Sequence, residues 1–287
     1  MALKTFEIPA SADGMKAEAF IRRILPNLTE SALRKLFDKK DVKLDDKRID
    51  RNSPLKAGQA LKLYIQTEEQ TLDIVYEDDT VLLVNKRPGI SVEPDKNGGI
   101  TLTDLCAQHV RKGNPDAFPP AACHRLDHRT CGLCLFAKTE EATEILQNVF
   151  KERTLRKEYT CLVRGLMKPP QATCKAWLIQ DKDKAKVEIT DHKAPNAKEI
   201  ITAYETIEAG PISRLKVHLI TGRTHQIRAH LAALGHPVLG DDLYGDRDFN
   251  KANKTRTLKL CATDLTLDTK GKIPGLDNRE FHIDPPF

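Results

Sequence analysis

Cys123-His124-Arg125-Leu126-Asp127-His128-Arg129-Thr130-Cys131-Gly132-Leu133-Cys134-Leu135-Phe136-Ala137-Lys138-Thr139 places two basic residues on each side of one Leu-Asp pair and then runs into an apolar segment. That segment reads as a strand, taken here from Arg125 to Ala137. Thr139 can then cap a helix over Glu140–Phe150, whose first turn carries two glutamates that favour the positive end of the helix dipole. Working outward, Ile74-Val75-Tyr76, a turn at Glu77-Asp78-Asp79 and Val81-Leu82-Leu83-Val84 predict a hairpin with a strongly buried second strand. Further short strands are predicted at Tyr159–Val163, Ile200–Ile207, Leu215–Ile220 and Thr257–Cys261. Helices are predicted at Leu102–Val110 and at His225–Leu234, the latter stopped by Gly235 and Pro237. Strands and helices do not alternate regularly, so the fold class is α+β, with a mainly antiparallel mixed sheet. The charged segment Gln180–Glu199 reads as an excursion between strands.

Toward the N-terminus the pattern changes. Ala17, Phe20, Ile21 and Ile24 recur at helical spacing, and a second helix is predicted from Glu30 to about Lys39 with Thr29 as its cap. Val42 and Leu44 alternate with charges, Asp45-Asp46-Lys47 form a turn, and Leu61, Leu63 and Ile65 mark another strand. The result is a small α+β domain over residues 1–65. A polar linker over 66–71 and a larger domain over 72–287, including a C-terminal tail, follow.

Charge follows the same division. Residues 1–65 hold 14 Lys and Arg against 9 Asp and Glu, while residues 66–287 hold 32 of each, so the whole net excess of +5 lies in the first segment. Arg22, Arg23, Arg34, Lys35, Lys39 and Lys40 lie on or just after the two helices, a surface suited to phosphate. A chain of 287 residues with 40% hydrophobic content can bury a sizeable core, and composition excludes collagen-like and low-complexity classes. No run approaches the roughly 18 apolar residues of a membrane span. Seven cysteines without disulfide-framework spacing, and an unremarkable start, lead to an expectation of free thiols and a cytoplasmic protein with no membrane attachment.

Asp127 is the chemically promising residue of the first stretch. A neighbouring arginine favours an ionised carboxylate, which suits a nucleophile or base at neutral pH; an isolated Asp in such a setting is otherwise a turn residue in a surface ion pair. Competing chemistries fare worse. Cys123, His124, His128, Cys131 and Cys134 contain a single C-x-x-C, and strand alternation points residues 131 and 134 to opposite faces, against a zinc site. His225, His230 and His236 lack H-E-x-x-H spacing, and no P-loop, dinucleotide fingerprint or G-x-S-x-G elbow occurs.

His124-Arg125-Leu126-Asp127, then Thr130, Gly132 and the strand ending Phe136-Ala137-Lys138-Thr139, closely resemble the signature of the RluA-type pseudouridine synthases. Three further segments agree with that pattern in chain order: Tyr76-Glu77-Asp78-Asp79 running into Val84-Asn85-Lys86, Lys157-Glu158-Tyr159, and Gly222-Arg223-Thr224-His225-Gln226-Ile227-Arg228-Ala229-His230-Leu231. Gly235-His236-Pro237-Val238-Leu239-Gly240-Asp241 and Leu243-Tyr244-Gly245 complete the set, which spans about residues 72–265. The chain departs from the usual pattern at Arg87, between Lys86 and Pro88, at Glu93, and at Cys131 and Cys134. Residues 14–65 resemble the small RNA-binding domain named after the fourth small-subunit ribosomal protein, except at Met15-Lys16-Ala17-Glu18, where that family usually reads Arg-Leu-Asp-Lys.

The resemblance implies isomerisation of uridine to pseudouridine in RNA, most often ribosomal RNA, by a monomer that needs neither cofactor nor metal. It implies Asp127 as the catalytic carboxylate. Arg228 is the expected ion-pair partner, its stem packing beside the stripe of Ile227, Leu231 and Leu234, and Arg223 is the alternative partner or a phosphate contact. Tyr159 is expected to stack on uracil and handle the carbon-5 proton. Arg125 could fill the gap left by a flipped base, and His124, Arg223, Arg22, Arg23, Arg34 and Lys35 complete the expected RNA contacts. A non-catalytic RNA-binding or RNA-folding protein of the same fold is the alternative.

Overall fold

The structure is a computed structural model that describes residues 2–25, 28, 30–65, 72–94, 100–112, 114–152, 154–181 and 186–287. It divides into two compact units, Met1–Thr71 with Glu93–Leu105, and Leu72–Val92 with Cys106–Phe287. The expected linker over 66–71 and the expected cap Thr29 lie outside the described residues.

In the first unit, β1 (Ala2–Glu7) precedes α1 (Ala17–Ile24) and α2 (Glu30–Asp38), and β2 (Val42–Leu44), β3 (Lys47–Arg48) and β4 (Ala60–Ile65) follow. Both helices form where the apolar spacing places them. Phe20, Ile21, Leu33 and Leu36 meet Val42, Leu44, Leu61 and Leu63 in one core that also takes in Ile8 and Leu55. The strands form an antiparallel sheet in the order β1-β4-β2-β3. The β2–β3 turn puts Asp45 and Asp46 at positive φ, and the Asp45 carboxylate accepts the Ala60 N–H at 2.9 Å. Strand β1 is an addition to the sequence reading. Its register runs from Ala2↔Ile65 to Glu7↔Ala60, and its apolar alternation is weak because Leu3 is left 52% exposed while Phe6 packs on the core.

Helix α3 (Leu102–Val110) starts in the first unit and ends in the second. The remaining elements of the second unit are β5 (Ile74–Glu77), β6 (Val81–Lys86), β7 (Ala121–Ala122), β8 (Cys131–Ala137), α4 (Glu140–Glu152), β9 (Leu155–Arg164), β10 (Gln171–Asp181), β11 (Lys186–Thr190), β12 (Lys198–Glu208), β13 (Ile212–Leu219), α5 (Gln226–Ala233), α6 (Arg247–Ala252), β14 (Leu260–Leu267) and β15 (Glu280–His282). Among the described residues the strands form one sheet in the order β11-β10-β12-β13-β9-β14-β8-β6-β5, with β15 on β14 and β7 on β8. Every pairing is antiparallel except β14 with β8, so the fold is α+β with a mixed, mostly antiparallel sheet, as the sequence implies.

Three local differences from the sequence reading have physical causes. The strand expected from Arg125 begins only at Cys131, because the Thr130 N–H turns back onto the Asp127 carbonyl at 3.0 Å and leaves 125–130 as a loop. The segment 180–199 is not a free excursion: within it β11 lies antiparallel to β10, with Trp177 opposite Thr190. Lysines and glutamates there conceal the alternation of Val187 and Ile189, which pack with Ala176, Leu178, Ile200 and Ala229. Helix α5 has no single apolar stripe; Gln226 to Leu231 are all buried, and Leu234, assigned to the stripe, is 41% exposed.

The parallel join between β8 and β14 fixes the loop that carries Asp127. Gly132 lies opposite Ala262 at φ +115°, and a β-carbon there would overlap the Ala262 carbonyl oxygen. Only glycine lets the two backbones approach this closely. On the α4 side, Leu133, Leu135 and Ala137 pack with Ala142, Leu146, Val149 and Leu265. Helix α4 is capped as its sequence predicts, the Ala142 N–H donating to Thr139 Oγ1 at 3.1 Å.

Candidate active site

Asp127 is partly exposed and sits between two anchors, buried Leu126 and buried Thr130. A third anchor comes from β6. Lys86 is completely buried, and its ammonium donates to the carbonyls of Arg87 (3.1 Å), Ile90 (2.9 Å) and His128 (3.2 Å). The Gly89 N–H donates to the same His128 carbonyl at 2.8 Å, so the 87–90 turn and the Asp127 loop are tied together. Burial lowers the Lys86 pKa to about 8, against the raising influence of Cys134, Cys131 and Asp127.

Arg228, on α5, is 4% exposed. Nε and Nη2 bind the two carboxylate oxygens of Asp241 at 2.7 and 2.9 Å, and Nη1 meets Asp127 Oδ2 at 3.2 Å. Asp241 is fully buried, and its Oδ1 also accepts the N–H groups of Leu243 (2.9 Å) and Tyr244 (3.1 Å). Burial opposes both charges, but their hydrogen bonds prevail: the guanidinium is pushed above its ordinary range and the Asp241 carboxyl below its own. A bidentate pair of this kind holds a guanidinium in one plane, so the remaining nitrogen is aimed before any substrate arrives. Arg129 reinforces the arrangement from the Asp127 loop, pairing with Asp242 and donating to the carbonyls of Arg256 and Gly240.

His225 completes the surround of Asp127, its Nε2 4.0 Å from Oδ2 and its Nδ1 2.9 Å from the Tyr244 hydroxyl. The Arg228 guanidinium lies over the Tyr244 ring, 5.3 Å from its centroid. His230 and His236 are engaged elsewhere, with Thr202 and with the Arg164 carbonyl. The Cys131 and Cys134 thiols face different carbonyls, those of Leu260 and His124.

The other residues singled out from sequence fall in three places. Tyr159 is 5% exposed on β9, opposite Val217 and Ala262, with the Lys157 ammonium 5.5 Å from its ring centroid. The same ammonium lies 5.9 Å from the Phe150 ring, and His124 stacks on that ring at 4.9 Å. His124 Nε2 accepts the Leu135 N–H at 3.3 Å, and burial pushes its pKa well below the ordinary value. Its ring is therefore turned into the packing beside α4 and not toward the Asp127 carboxylate. Arg125 and Arg223 are exposed, and Arg223 is not an ion-pair partner of Asp127 among the described residues.

In the first unit the basic side chains are unequally engaged. Arg22 and Arg51 converge on Glu18 at 2.7–2.8 Å, which holds that carboxyl down at about 2, with Arg51 the larger influence. Arg34 lies 3.7 Å from Asp38, and Arg23 and Lys35 are exposed. Sequence reasoning assigned no role to Lys86, His225, Asp241 or Tyr244. All four stand within motif segments noted above, but their roles depend on partners that the fold brings together from separate segments of the chain.

A family model described as RNA pseudouridylate synthase matches residues 80–233. The ribosomal large subunit pseudouridine synthase C of Vibrio parahaemolyticus is 31% identical over 262 residues, covering 85% of this chain and 81% of its own. An RNA pseudouridine synthase of Mycoplasma pneumoniae is 30% identical over 305 residues, covering 97% and 93%. Among solved structures, human RNA Pseudouridylate Synthase Domain Containing 1 superposes with a TM-score of 0.62 at 27% identity, over 76% of this chain and 85% of that one.

Proposed function

This chain belongs to the RNA pseudouridylate synthase family, and from that premise we propose that it isomerises specific uridines of ribosomal RNA with Asp127 as the catalytic carboxylate. The observation that carries the assignment of Asp127 is the buried Asp241–Arg228 pair, which presents one remaining guanidinium nitrogen to its carboxylate.

The reaction breaks the bond between ribose C1′ and N1 of uracil, turns the base, and joins C1′ to C5. The C5 proton is lost, N1 gains one, and there is no net oxidation or reduction. An ionised carboxylate beside C1′ can attack it, forming a covalent ribosyl ester, or take a proton from C2′ and leave a glycal. Arg228 places its positive charge 3.2 Å from the carboxylate that either route uses. Tyr159 supplies a ring for stacking and a hydroxyl for the late proton transfer, and Arg125, on the exposed edge of the Asp127 loop, fills the space of the flipped nucleotide.

Ribosomal RNA is favoured by the relatives, which include ribosomal large subunit pseudouridine synthases, and by the basic first unit, whose helix-helix-strand order resembles the small ribosomal-protein RNA-binding domain. Arg22, Arg23, Arg34 and Lys35 are all exposed on its two helices, with Arg22 paired to Glu18 and Arg34 near Asp38. All seven cysteines are free thiols, as work on RNA in a reducing compartment would keep them.

Mapping pseudouridine across total RNA from cells with and without this protein tests the assignment. Loss of discrete ribosomal sites is expected; loss confined to transfer or messenger RNA removes the ribosomal assignment, and an unchanged map removes the activity.

A further inference from the structure

The surroundings of Asp127 are one-sided. Arg228 Nη1 at 3.2 Å and His225 Nε2 at 4.0 Å both approach Oδ2. Among the described residues both polar contacts of the carboxylate thus fall on Oδ2 and none on Oδ1.

His225 is also held in an unusual way. It has φ +54°, in the left-handed region that costs most side chains energy and that asparagine tolerates better than most. Its Nδ1 lies 2.9 Å from the Tyr244 hydroxyl, whose oxygen also accepts the Val187 N–H from β11 at 2.9 Å. With one lone pair already taken by an N–H donor, the phenol satisfies all three groups by donating its own proton to Nδ1. A neutral imidazole that accepts at Nδ1 carries its proton at Nε2. The opposite tautomer would turn an Nε2 lone pair toward a carboxylate and leave the phenol proton without that acceptor.

We propose that His225 is a positioning residue for Asp127: Tyr244 fixes its tautomer, the Nε2–H and Arg228 together confine Oδ2, and Oδ1 is thereby the oxygen that reacts with the ribose. The proposal rests on Asp127 being the catalytic carboxylate. The neutral state agrees with the local charges: burial lowers the His225 pKa and Arg228 lowers it further, against Asp127, Asp241 and Asp242. At 4.0 Å the approach to Oδ2 is longer than a hydrogen bond, so the Nε2–H acts on Oδ2 as a dipole aimed at a negative charge beside the direct Arg228 contact.

Two substitutions at position 225 separate this role from a backbone role. His225→Gln retains an amide N–H near the place of Nε2 but suits the left-handed backbone poorly. His225→Asn suits that backbone and places its amide near Nδ1, out of reach of Asp127. Single-turnover release of carbon-5 tritium from labelled ribosomal RNA is expected to fall about tenfold in the Gln variant and at least a further tenfold in the Asn variant, with filter-binding affinity for the RNA unchanged. The reverse order overturns the proposal in favour of a backbone role. Nitrogen-15 spectra of histidine-labelled enzyme, with His225 assigned from the Gln variant, test the tautomer without any turnover. An Nε2–H signal that loses its preference in Tyr244→Phe is expected, and an Nδ1–H tautomer in the wild type overturns the proposal. Wild-type enzyme that releases no tritium from ribosomal RNA refutes the substrate assignment alone, because the spectra still decide the case of His225.

Discussion

Nη1 of Arg228 meets Oδ2 of Asp127 at 3.2 Å across 101 residues of sequence, and it does so with the one nitrogen that Asp241 leaves over. The carboxylate of Asp127 is thus oriented by a cation that is itself immobilised, and no part of that arrangement waits for substrate.

Asp127→Asn is expected to abolish pseudouridine formation, by roughly a thousandfold or more, while folding and RNA affinity persist. The amide is nearly isosteric but is a poor nucleophile and base, and Arg228 keeps its bidentate partner. Tritium release, with circular dichroism and filter binding as controls, measures this; a variant with wild-type release would reduce Asp127 to a turn residue.

Asp241→Asn acts one step further back. It removes the buried bidentate partner of the guanidinium and leaves only the contact to Asp127, a change that costs about 3–5 kcal/mol when a buried pair is broken. Urea unfolding should show a lowered midpoint together with loss of turnover. A stability within about 0.5 kcal/mol of wild type would mean that Arg228 is held by other groups.

Lys86→Met leaves the carbonyls of Arg87 and Ile90 unpaired, at about 1–3 kcal/mol each, while the His128 carbonyl keeps the Gly89 N–H, and should slow turnover by loosening the Asp127 loop. Wild-type pH dependence carries the same signature. The folded pKa of Lys86, about 8, lies below the ordinary lysine value of 10.5, so between those limits the unfolded chain binds more protons and this group makes stability rise with pH. Turnover should instead fall above pH 8 as the ammonium loses its charge. A rate that stays flat to about pH 9.5, on enzyme shown to be folded, would exclude Lys86 as the group that sets the loop.

Tyr159→Phe keeps the ring beneath Lys157 and deletes only the hydroxyl. Product formation should slow by roughly a hundredfold with RNA affinity retained, as general acid–base groups typically contribute. Unaltered turnover assigns Tyr159 to packing or stacking.

Arg23→Glu with Lys35→Glu tests the first unit without deleting it, a useful distinction because Glu93–Leu105 groups with that unit and truncation at residue 65 would strip its partner. RNA binding should weaken, and the slope of log affinity against log salt should fall by about one for each phosphate that is no longer neutralised. An unchanged slope would move the RNA surface elsewhere.

Much of this molecule is legible along the chain wherever the signal is local. The helix at 17–24 announces itself by apolar period, the one that starts at Glu140 by its Thr139 cap and acidic first turn, the 74–86 hairpin by a turn between apolar runs, and the surplus charge of the first 65 residues by counting. Asp127 stands out because a carboxylate between pairs of basic residues is chemically unusual, and the ordered motifs around it identify Tyr159 and Arg228. Strand β11 is hidden because a charged edge strand buries only one alternate face, and β1 because its partner, β4, lies more than fifty residues away.

The site itself depends on what the folded chain brings together. By sequence Arg228 is the candidate partner of Asp127 and Arg223 the alternative, and only the packing of α5 against β11 and β12, with Asp241 behind it, gives the carboxylate to Arg228. His124, in the same motif as Asp127, is drawn into a stack on Phe150, whereas His225 and Tyr244, drawn from a helix start and a distant loop, meet beside Oδ2. The physical reason is common to these cases. Residue type and spacing fix which groups can ionise, donate or pack, but a side chain's partner is settled by burial, since a polar group taken from water must find its complement among whatever the fold places within about 3 Å.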